Sequence, residues 1–149
     1  MDEPDTPGQL KARALRHLVR REHSRAELAR KLGPHAASAA ALEQVLDLLL
    51  SKRQQSDERY AEERSRVLSR KYGAARIRHD LRAKGIAEDI LRSVSAEGEL
   101  ERAREILQRK YRLPATTPQE RARRARFLQG RGFSTEVILR LILVHGELD

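Results

Sequence analysis

The apolar residues of this chain recur three and four positions apart, the spacing that places side chains on one face of an α-helix. Alternation of apolar and polar positions over β-branched residues, which is typical of strands, is absent. The sequence therefore predicts an all-α fold whose apolar stripes form the core. The clearest stripes are Leu42, Val45, Leu46 and Leu49, then Tyr60, Ala61, Leu68 and Tyr72, then Ala74, Ile77 and Leu81.

Helix start signals divide the chain into nine predicted helices. Thr6 and Thr117 each precede a proline and stand three residues before Gln9 or Glu120, and Ser24 with Glu27 forms a capping box. Ser134 is expected to cap the last helix, and glycines 33, 73, 85 and 132 fall at predicted breaks. The predicted helices span residues 8–22, 24–32, 38–53, 57–71, 73–84, 86–95, 98–112, 118–130 and 134–146.

A six-residue phrase occurs twice, 47 positions apart. Leu81-x-x-Lys84-Gly85-Ile86 returns as Leu128-x-x-Arg131-Gly132-Phe133, and Ile86 and Phe133 resemble hydrophobic staples. Such a period is typical of tandem helical repeats, which pack on their neighbours because each is too small to bury its apolar face. Three three-helix repeats are predicted, at residues 8–54, 55–96 and 97–149. We expect an elongated array in a right-handed or curved, solenoid-like arrangement.

The composition favours a basic cytoplasmic protein. Lys and Arg total 31 against 22 Asp and Glu, which gives a net charge of +9, and the chain has no cysteine. Disulfides and thiolate metal sites are therefore excluded. The beginning of the chain lacks the apolar segment of a secretory signal, and the apolar run 137–144 is broken by Arg140. That run is far shorter than the ~20 residues that span a bilayer, so no membrane partner is expected.

Catalytic motifs are not visible. The five histidines, at positions 17, 23, 35, 79 and 145, form no metal-ligand spacing, and the glycines form no phosphate-binding loop. Carboxylates have basic neighbours at helical spacing, which is typical of solvent-facing charges. The sequence predicts a binding protein rather than an enzyme, with no cofactor, metal or small-molecule substrate.

The basic residues are the candidate binding residues. One cluster surrounds the break at Gly73 with Asp80 as its only acid, and a second lies in the third predicted repeat. A positive track of this kind fits a nucleic-acid backbone or an acidic protein groove, although each residue is also typical of a solvated helix face. Aromatic residues make up only 3%, which argues against a stacking platform for single-stranded bases. The candidates are Arg70, Lys71, Arg76, Arg78, Arg82 and Lys84, and then Arg124 and Arg131.

Three blocks of sequence resemble the bacterial RecX family of regulatory proteins, between about residues 10 and 145. The central block is the most specific, and the stretches 33–41 and 112–117 depart from the family pattern. The central block comprises Asp57-Glu58-Arg59-Tyr60-Ala61, Arg66, and the run from Tyr72-Gly73 to Gly85-Ile86. The first comprises Ala14-Leu15, Leu18, Arg21 and Ser24 to Leu28, and the last Arg124, Phe127-Leu128, Arg131 to Ser134 and Ile138.

The resemblance implies a modulator of the RecA recombinase. Members of the family are tandem three-helix repeats that lie in the groove of the RecA–DNA filament and block its extension or promote its disassembly. They lower ATP hydrolysis, strand exchange and the co-protease activity that drives the SOS response. The RecA filament would be the main partner, and single- and double-stranded DNA would be contacted more weakly or indirectly.

Two other readings rest on the residues alone. Three-helix units resemble helix-turn-helix modules, so the chain could be an autonomous DNA-binding protein. The third helices of the second and third repeats open with Ala87-Glu88-Asp89 and with Ser134-Thr135-Glu136, and acidic starts repel phosphate. An RNA-associated scaffold is supported only by the net charge.

Overall fold

The computed structural model describes residues 3–147, with side chains for residues 3–142. Within that range the regular structure is helical, and a 3₁₀ turn, Gly33–His35, follows α2. The all-α prediction is confirmed, and eight predicted helices match the observed bounds to within three residues. The helices are α1 Pro7–Arg20, α2 Arg25–Leu32, α3 Ala39–Ser51, α4 Asp57–Leu68, α5 Ala74–Ala83, α6 Glu88–Leu91, α7 Glu99–Lys110, α8 Pro118–Gly130 and α9 Thr135–Glu147.

The sixth helix is much shorter than its predicted span of 86–95. It ends at Leu91, and two hydrogen bonds hold the irregular segment that follows. Nη1 of Arg78 donates to the carbonyl of Val94 at 3.2 Å, and the backbone N–H of Glu97 donates to Oγ of Ser95 at 2.9 Å. Serine hydroxyls compete with helical hydrogen bonds in this way, and the apolar pattern alone does not reveal it.

Two compact units make up the described chain. Unit 1 contains the residues up to Arg64 together with Leu81–Leu91, and unit 2 contains Ser65–Asp80 with the residues from Arg92 onward. Each has its own apolar cluster, and the predicted stripe of Val45, Leu46 and Leu49 lies in that of unit 1. The cluster of unit 1 is Leu10, Ala14, Leu28, Leu32, Val45, Leu46 and Leu49. The cluster of unit 2 is Ala103, Ile106, Leu107, Leu128, Phe133, Ile138 and Leu141.

The repeated phrase is a helix-ending motif. In unit 1 the N–H of Ile86 donates to the carbonyl of Leu81 at 3.1 Å, and Gly85 has a φ of +81°. In unit 2 the N–H of Phe133 donates to the carbonyl of Leu128 at 3.2 Å, and Gly132 has a φ of +89°. This is the Schellman arrangement, in which glycine adopts the left-handed conformation and the flanking apolar residues meet.

The first N–H groups of α2 and α5 are capped in the same manner. Oδ1 of Asp57, the first residue of α4, accepts from the N–H of Arg25 at 2.8 Å. Oε1 of Glu99, the first residue of α7, accepts from the N–H of Ala74 at 3.1 Å. Each carboxylate therefore satisfies a donor at the positive end of another helix. Matched contacts of this kind support tandem repeats, while the three repeat boundaries stay a prediction.

We expect Asp57→Ala and Glu99→Ala to lower the free energy of unfolding by similar amounts. Each removes a charged acceptor from a helix N-terminus, which costs about 1–3 kcal/mol. Glu58→Ala is the control, since Glu58 is exposed beside Asp57. Urea denaturation followed by circular dichroism measures all three. A severe effect at one carboxylate and none at the other would contradict their equivalence.

A buried polar cluster lies between α1 and α2 in unit 1. Nδ1 of His23 lies 3.0 Å from the carbonyl of Arg21, and Nε2 lies 2.9 Å from Nζ of Lys31. Because a carbonyl only accepts, Nδ1 carries the proton and Nε2 accepts from the ammonium. His23 is 2% exposed, so its neutral form is fixed by both contacts. The guanidinium of Arg21 also donates to both carboxylate oxygens of Glu27, at 3.3 and 2.9 Å.

These surroundings displace the pKa of each group. Burial lowers the pKa of His17 and His23, and the charge of Lys31 lowers both further. Burial alone would raise the pKa of Glu27. The hydrogen bonds from Arg21 and from the backbone of Ser24 outweigh that effect and lower its pKa to about 2.

Acid should therefore destabilise the protein in two steps. The unfolded chain protonates His17 and His23 first, so stability falls as the pH drops below about 6.5. The contribution of Glu27 is complete above about pH 4.5 and is lost as the pH falls toward about 2. Urea titrations between about pH 7.5 and pH 3 measure this. Glu27→Gln should lower stability near neutral pH and flatten the lower step alone, and an unchanged lower step in this variant would contradict the assignment.

Candidate functional site

Of the predicted basic residues of unit 1, Arg82 has a side-chain partner, and Lys84 has one for its backbone. Nε of Arg82 donates to Oε1 of Glu88 at 2.8 Å, which neutralises its charge. The backbone carbonyl of Lys84 accepts from Oγ of Ser24 at 3.0 Å, and Lys84 is half-buried. Arg82 therefore offers a partner little free charge.

The predicted residues of unit 2 fall into three groups. Arg78 is half-buried and donates to the carbonyl of Val94, so its role is structural. Arg70 and Lys71 are exposed in the turn after α4. The remaining three, Arg76, Arg124 and Arg131, lie against aromatic rings.

The first ring, Tyr72, carries two arginines. The guanidinium carbon of Arg76 lies 4.9 Å from the ring centroid and that of Arg131 lies 5.4 Å from it. The two charges are thus no more than about 10 Å apart. Arg131 also lies 5.1 Å from the ring centroid of Phe127, so it joins two rings. A cation over an aromatic face is held by the quadrupole of the ring and keeps its charge.

Further contacts between cations and rings connect Phe127, on α8, with the end of α7. Nζ of Lys110 lies 5.1 Å from the centroid of Phe127 and 5.9 Å from that of Tyr111. The rings of Tyr111 and Phe127 meet edge to face, with centroids 6.0 Å apart. Arg124 lies 4.5 Å from the centroid of Tyr111 and donates to the carbonyl of Leu113 at 2.7 Å. We call these seven residues the cation–ring strip: Tyr72, Arg76, Lys110, Tyr111, Arg124, Phe127 and Arg131.

A close backbone approach positions the strip. The N–H of Gly73 donates to the carbonyl of Arg131 at 2.8 Å. A Cβ on Gly73 would lie 2.4 Å from the carbonyl oxygen of Gly132, and one on Gly132 would lie 2.4 Å from Cβ of Arg76. These separations are too short for any side chain. Because glycine occupies both positions, Tyr72 comes directly beside Arg131.

The four cations of the strip keep their charge. No carboxylate among the described residues forms an ion pair with Arg76, Lys110, Arg124 or Arg131. Glu120 is the carboxylate that interacts with Arg124, and this interaction is weak. The pKa of Glu120 is lowered mainly by a hydrogen bond from the N–H of Thr116, and the charge of Arg124 adds only a little to this. Ion pairs occupy other arginines of the chain, namely Arg13, Arg21, Arg25, Arg59, Arg82 and Arg104. The strip is therefore a source of unneutralised positive charge.

The rings and Lys110 are the residues that sequence reasoning missed. A low aromatic content hid the fact that three of the five aromatic side chains lie in one place. The sequence does contain a signal, since Arg76 follows Tyr72 and Arg131 follows Phe127 at a spacing of four. Residues at this spacing are neighbours along a helix, which applies to Phe127 at the end of α8, whereas Tyr72 lies in the turn before α5.

Comparisons with known proteins agree with this architecture. Residues 56–94 match the family model for the second three-helix domain of RecX, and residues 97–142 match that for the third. The chain belongs to the RecX family. It is 42% identical to the regulatory protein RecX of Ralstonia nicotianae over 93% of this chain and 89% of that relative. It is 44% identical to the regulatory protein RecX of Leptothrix cholodnii, over 89% of this chain and 87% of the relative.

A solved structure of the family shares the fold. The crystal structure of RecX from Lactobacillus salivarius matches with a TM-score of 0.81 and 20% identity, over 96% of this chain and 97% of that one. The RecX family is a family of regulatory proteins. Among the helices of the described residues, none is long and apolar enough to cross a membrane.

Two glycines in the same turn should respond oppositely to alanine. Gly132→Ala forces a left-handed residue and a clash with Arg76, and should cost about 2–5 kcal/mol of stability. Gly130→Ala lies at the end of α8 with open space around its Cβ position, and should be neutral or stabilise by up to about 1 kcal/mol. Urea denaturation measures both variants. Equal tolerance at the two positions would show that the close approach does not shape the turn.

Proposed function

We propose that this chain binds in the groove of the RecA–DNA filament and inhibits RecA ATP hydrolysis, strand exchange and co-protease activity. Its family membership supports a role in regulating RecA, and binding rather than catalysis would accomplish it. The protein would act in the cytoplasm and would need no cofactor, small-molecule substrate or membrane. DNA contacts would be weaker than RecA contacts, or indirect.

The cation–ring strip is the observation that carries this proposal. Its four charges are held in place by rings without being neutralised, so their counterions are available for release when a polyanionic surface binds. Acidic RecA groove surface or DNA phosphate would supply that surface. Arg76, Arg124 and Arg131 would make the main contacts. Exposed Arg70 and Lys71 would extend them, and the engaged Arg78 and Arg82 and the half-buried Lys84 would contribute less.

The helix-turn-helix alternative receives less support. In such modules a recognition helix lies in the major groove and presents side chains to base edges. The corresponding helix of the second predicted repeat, α6, has only four residues and begins with Glu88 and Asp89. Its length and its charge both disfavour insertion into a groove lined by phosphate.

The direct test is RecA ATP hydrolysis on single-stranded DNA, with and without this protein. We expect the purified chain to lower the rate in a concentration-dependent manner. Strand exchange and cleavage of a co-protease substrate, measured in parallel, should fall over the same concentration range. Unchanged ATP hydrolysis, under conditions in which the protein is folded, would contradict the proposal.

Variants locate the surface. Arg76→Gln combined with Arg131→Gln should raise the concentration for half-inhibition about tenfold or more, and each lost contact should flatten the salt dependence by about one unit of slope. Arg82→Gln is the matched control: its charge is already paired with Glu88, so we expect a change of less than about twofold. Circular dichroism checks that each variant is folded. If the control weakened inhibition as much as the double variant, the strip would not be the contact surface.

A further inference from the structure

A small apolar cavity of unit 2 lies among α7, α8, α9 and the loop that joins α7 to α8. Its volume is about 180 Å³, and its lining includes the buried side chains of Leu107, Ala115 and Leu141. An apolar cavity of about 150 Å³ is already large enough to bind benzene. The cavity of unit 2 therefore has room for one leucine or phenylalanine side chain of another molecule.

The cavity meets solvent at an exposed leucine. Leu113 is 78% exposed and lines the cavity together with Pro114, which is also exposed. A single exposed leucine is ordinary on a protein surface. Here, however, the exposed apolar surface continues into a cavity with buried apolar walls. Protein interfaces are centred on pockets of this kind, which seat a side chain of the partner and are surrounded by polar residues.

Three arginines surround the apolar walls. Arg112, Arg121 and Arg124 line the cavity, and none of the described residues that line it is acidic. Nη2 of Arg124 donates to the carbonyl of Leu113 at 2.7 Å, which holds this guanidinium beside the exposed leucine. Arg112 and Arg121 form no ion pair with any described residue. Glu120, which precedes Arg121, accepts from a backbone N–H of the loop at 2.7 Å and does not line the cavity.

We propose that this cavity binds an apolar side chain that projects from an acidic segment of a partner protein. A second copy of this chain is disfavoured as the occupant, because it also carries a net charge of +9 and would be repelled. A nucleic-acid strand would offer phosphate to the arginines, but the polar edges of its bases would lose their hydrogen bonds inside an apolar cavity. An acidic segment with one aliphatic or aromatic side chain satisfies both the arginines and the apolar walls.

The inference rests on the proposed function, because Arg124 belongs both to the cavity lining and to the cation–ring strip. The strip alone accepts acidic protein surface or DNA phosphate equally well. The cavity adds a requirement that phosphate does not meet, so it specifies a protein as the partner at this end of the strip. The charges would speed the encounter, and the apolar side chain would slow dissociation.

Amide NMR spectra of the full-length protein, titrated with a defined peptide, test the cavity without RecA. The probe is an N-acetylated, C-amidated peptide with one phenylalanine between two pairs of glutamates. We expect it to shift the amide signals of Leu107, Leu113 and Ala115. A peptide with alanine in place of phenylalanine, and one with glutamines in place of the glutamates, should each bind about fivefold or more weakly.

A double variant of the cavity has a matched control. Leu113→Gln combined with Arg121→Gln should weaken binding of the probe peptide about tenfold or more, because it removes an apolar and a charged contact together. The control combines Leu139→Gln on α9 with Arg123→Gln on α8, two exposed positions outside the lining, and should change binding less than about twofold. Circular dichroism checks folding. Leu113→Gln alone remains informative if the double variant is unstable, since this side chain is largely exposed.

RecA ATP hydrolysis with the same variants separates this inference from the proposed function. Inhibition that is weakened in the cavity variant but not in the control would support both. If the unmodified protein inhibits and the cavity variant inhibits equally well, the cavity proposal is overturned and the proposed function stands. If the unmodified protein does not inhibit, the proposed function fails, and the peptide titration decides the cavity.

Three results of the titration would overturn the cavity proposal. The first is the absence of shifts at the cavity, and the second is equal binding of the three peptides. The third is an equal loss of binding in the cavity variant and its control. Single-stranded oligothymidine that shifts the same signals, and loses this effect in the cavity variant, would assign the cavity to nucleic acid and would also overturn the proposal.

Discussion

The structure depends on two contacts between helix ends. The end of α5 meets the beginning of α2, and the end of α8 meets the beginning of α5. In unit 1 the carbonyl of Lys84 accepts from Oγ of Ser24, the N-cap of α2. In unit 2 the carbonyl of Arg131 accepts from the N–H of Gly73, the residue before α5. The glycine that follows each basic residue approaches the other helix so closely that a Cβ would clash. A helix-ending turn thus also serves as a packing surface, which explains why this six-residue phrase is repeated.

This double use of the turn links the fold to the candidate site. The backbone of Arg131 is committed to Gly73, while its side chain reaches Tyr72 and Phe127. The position therefore needs a basic side chain for the strip and the flexibility of Gly132 just after it. Because backbone and side chain act separately, the phrase specifies a turn and a charge at the same time.

The sequence predicted most of what is local and little of what is distant. Helix starts at Thr6 and Ser24 follow from capping chemistry between residues three apart, and both boxes are present. The caps from Asp57 and Glu99 join residues 32 and 25 positions apart, beyond the reach of any helical period. The turn after α3 was also not predicted, because Arg53 adopts a φ of +58° where glycine is usual. Interactions between residues close in sequence therefore determine where helices begin, whereas contacts between distant residues depend on how the helices pack.

The candidate site shows the same division. Arg76, Arg124 and Arg131 were identifiable as basic residues, but their charge could be judged only from their neighbours. Arg82 looks equivalent to Arg76 in sequence, yet Glu88 neutralises it across a turn, six residues away. An ion pair cancels the field of an arginine, whereas a ring fixes the guanidinium and leaves that field intact. The choice between a carboxylate and an aromatic neighbour therefore determines which arginines can attract an anionic partner.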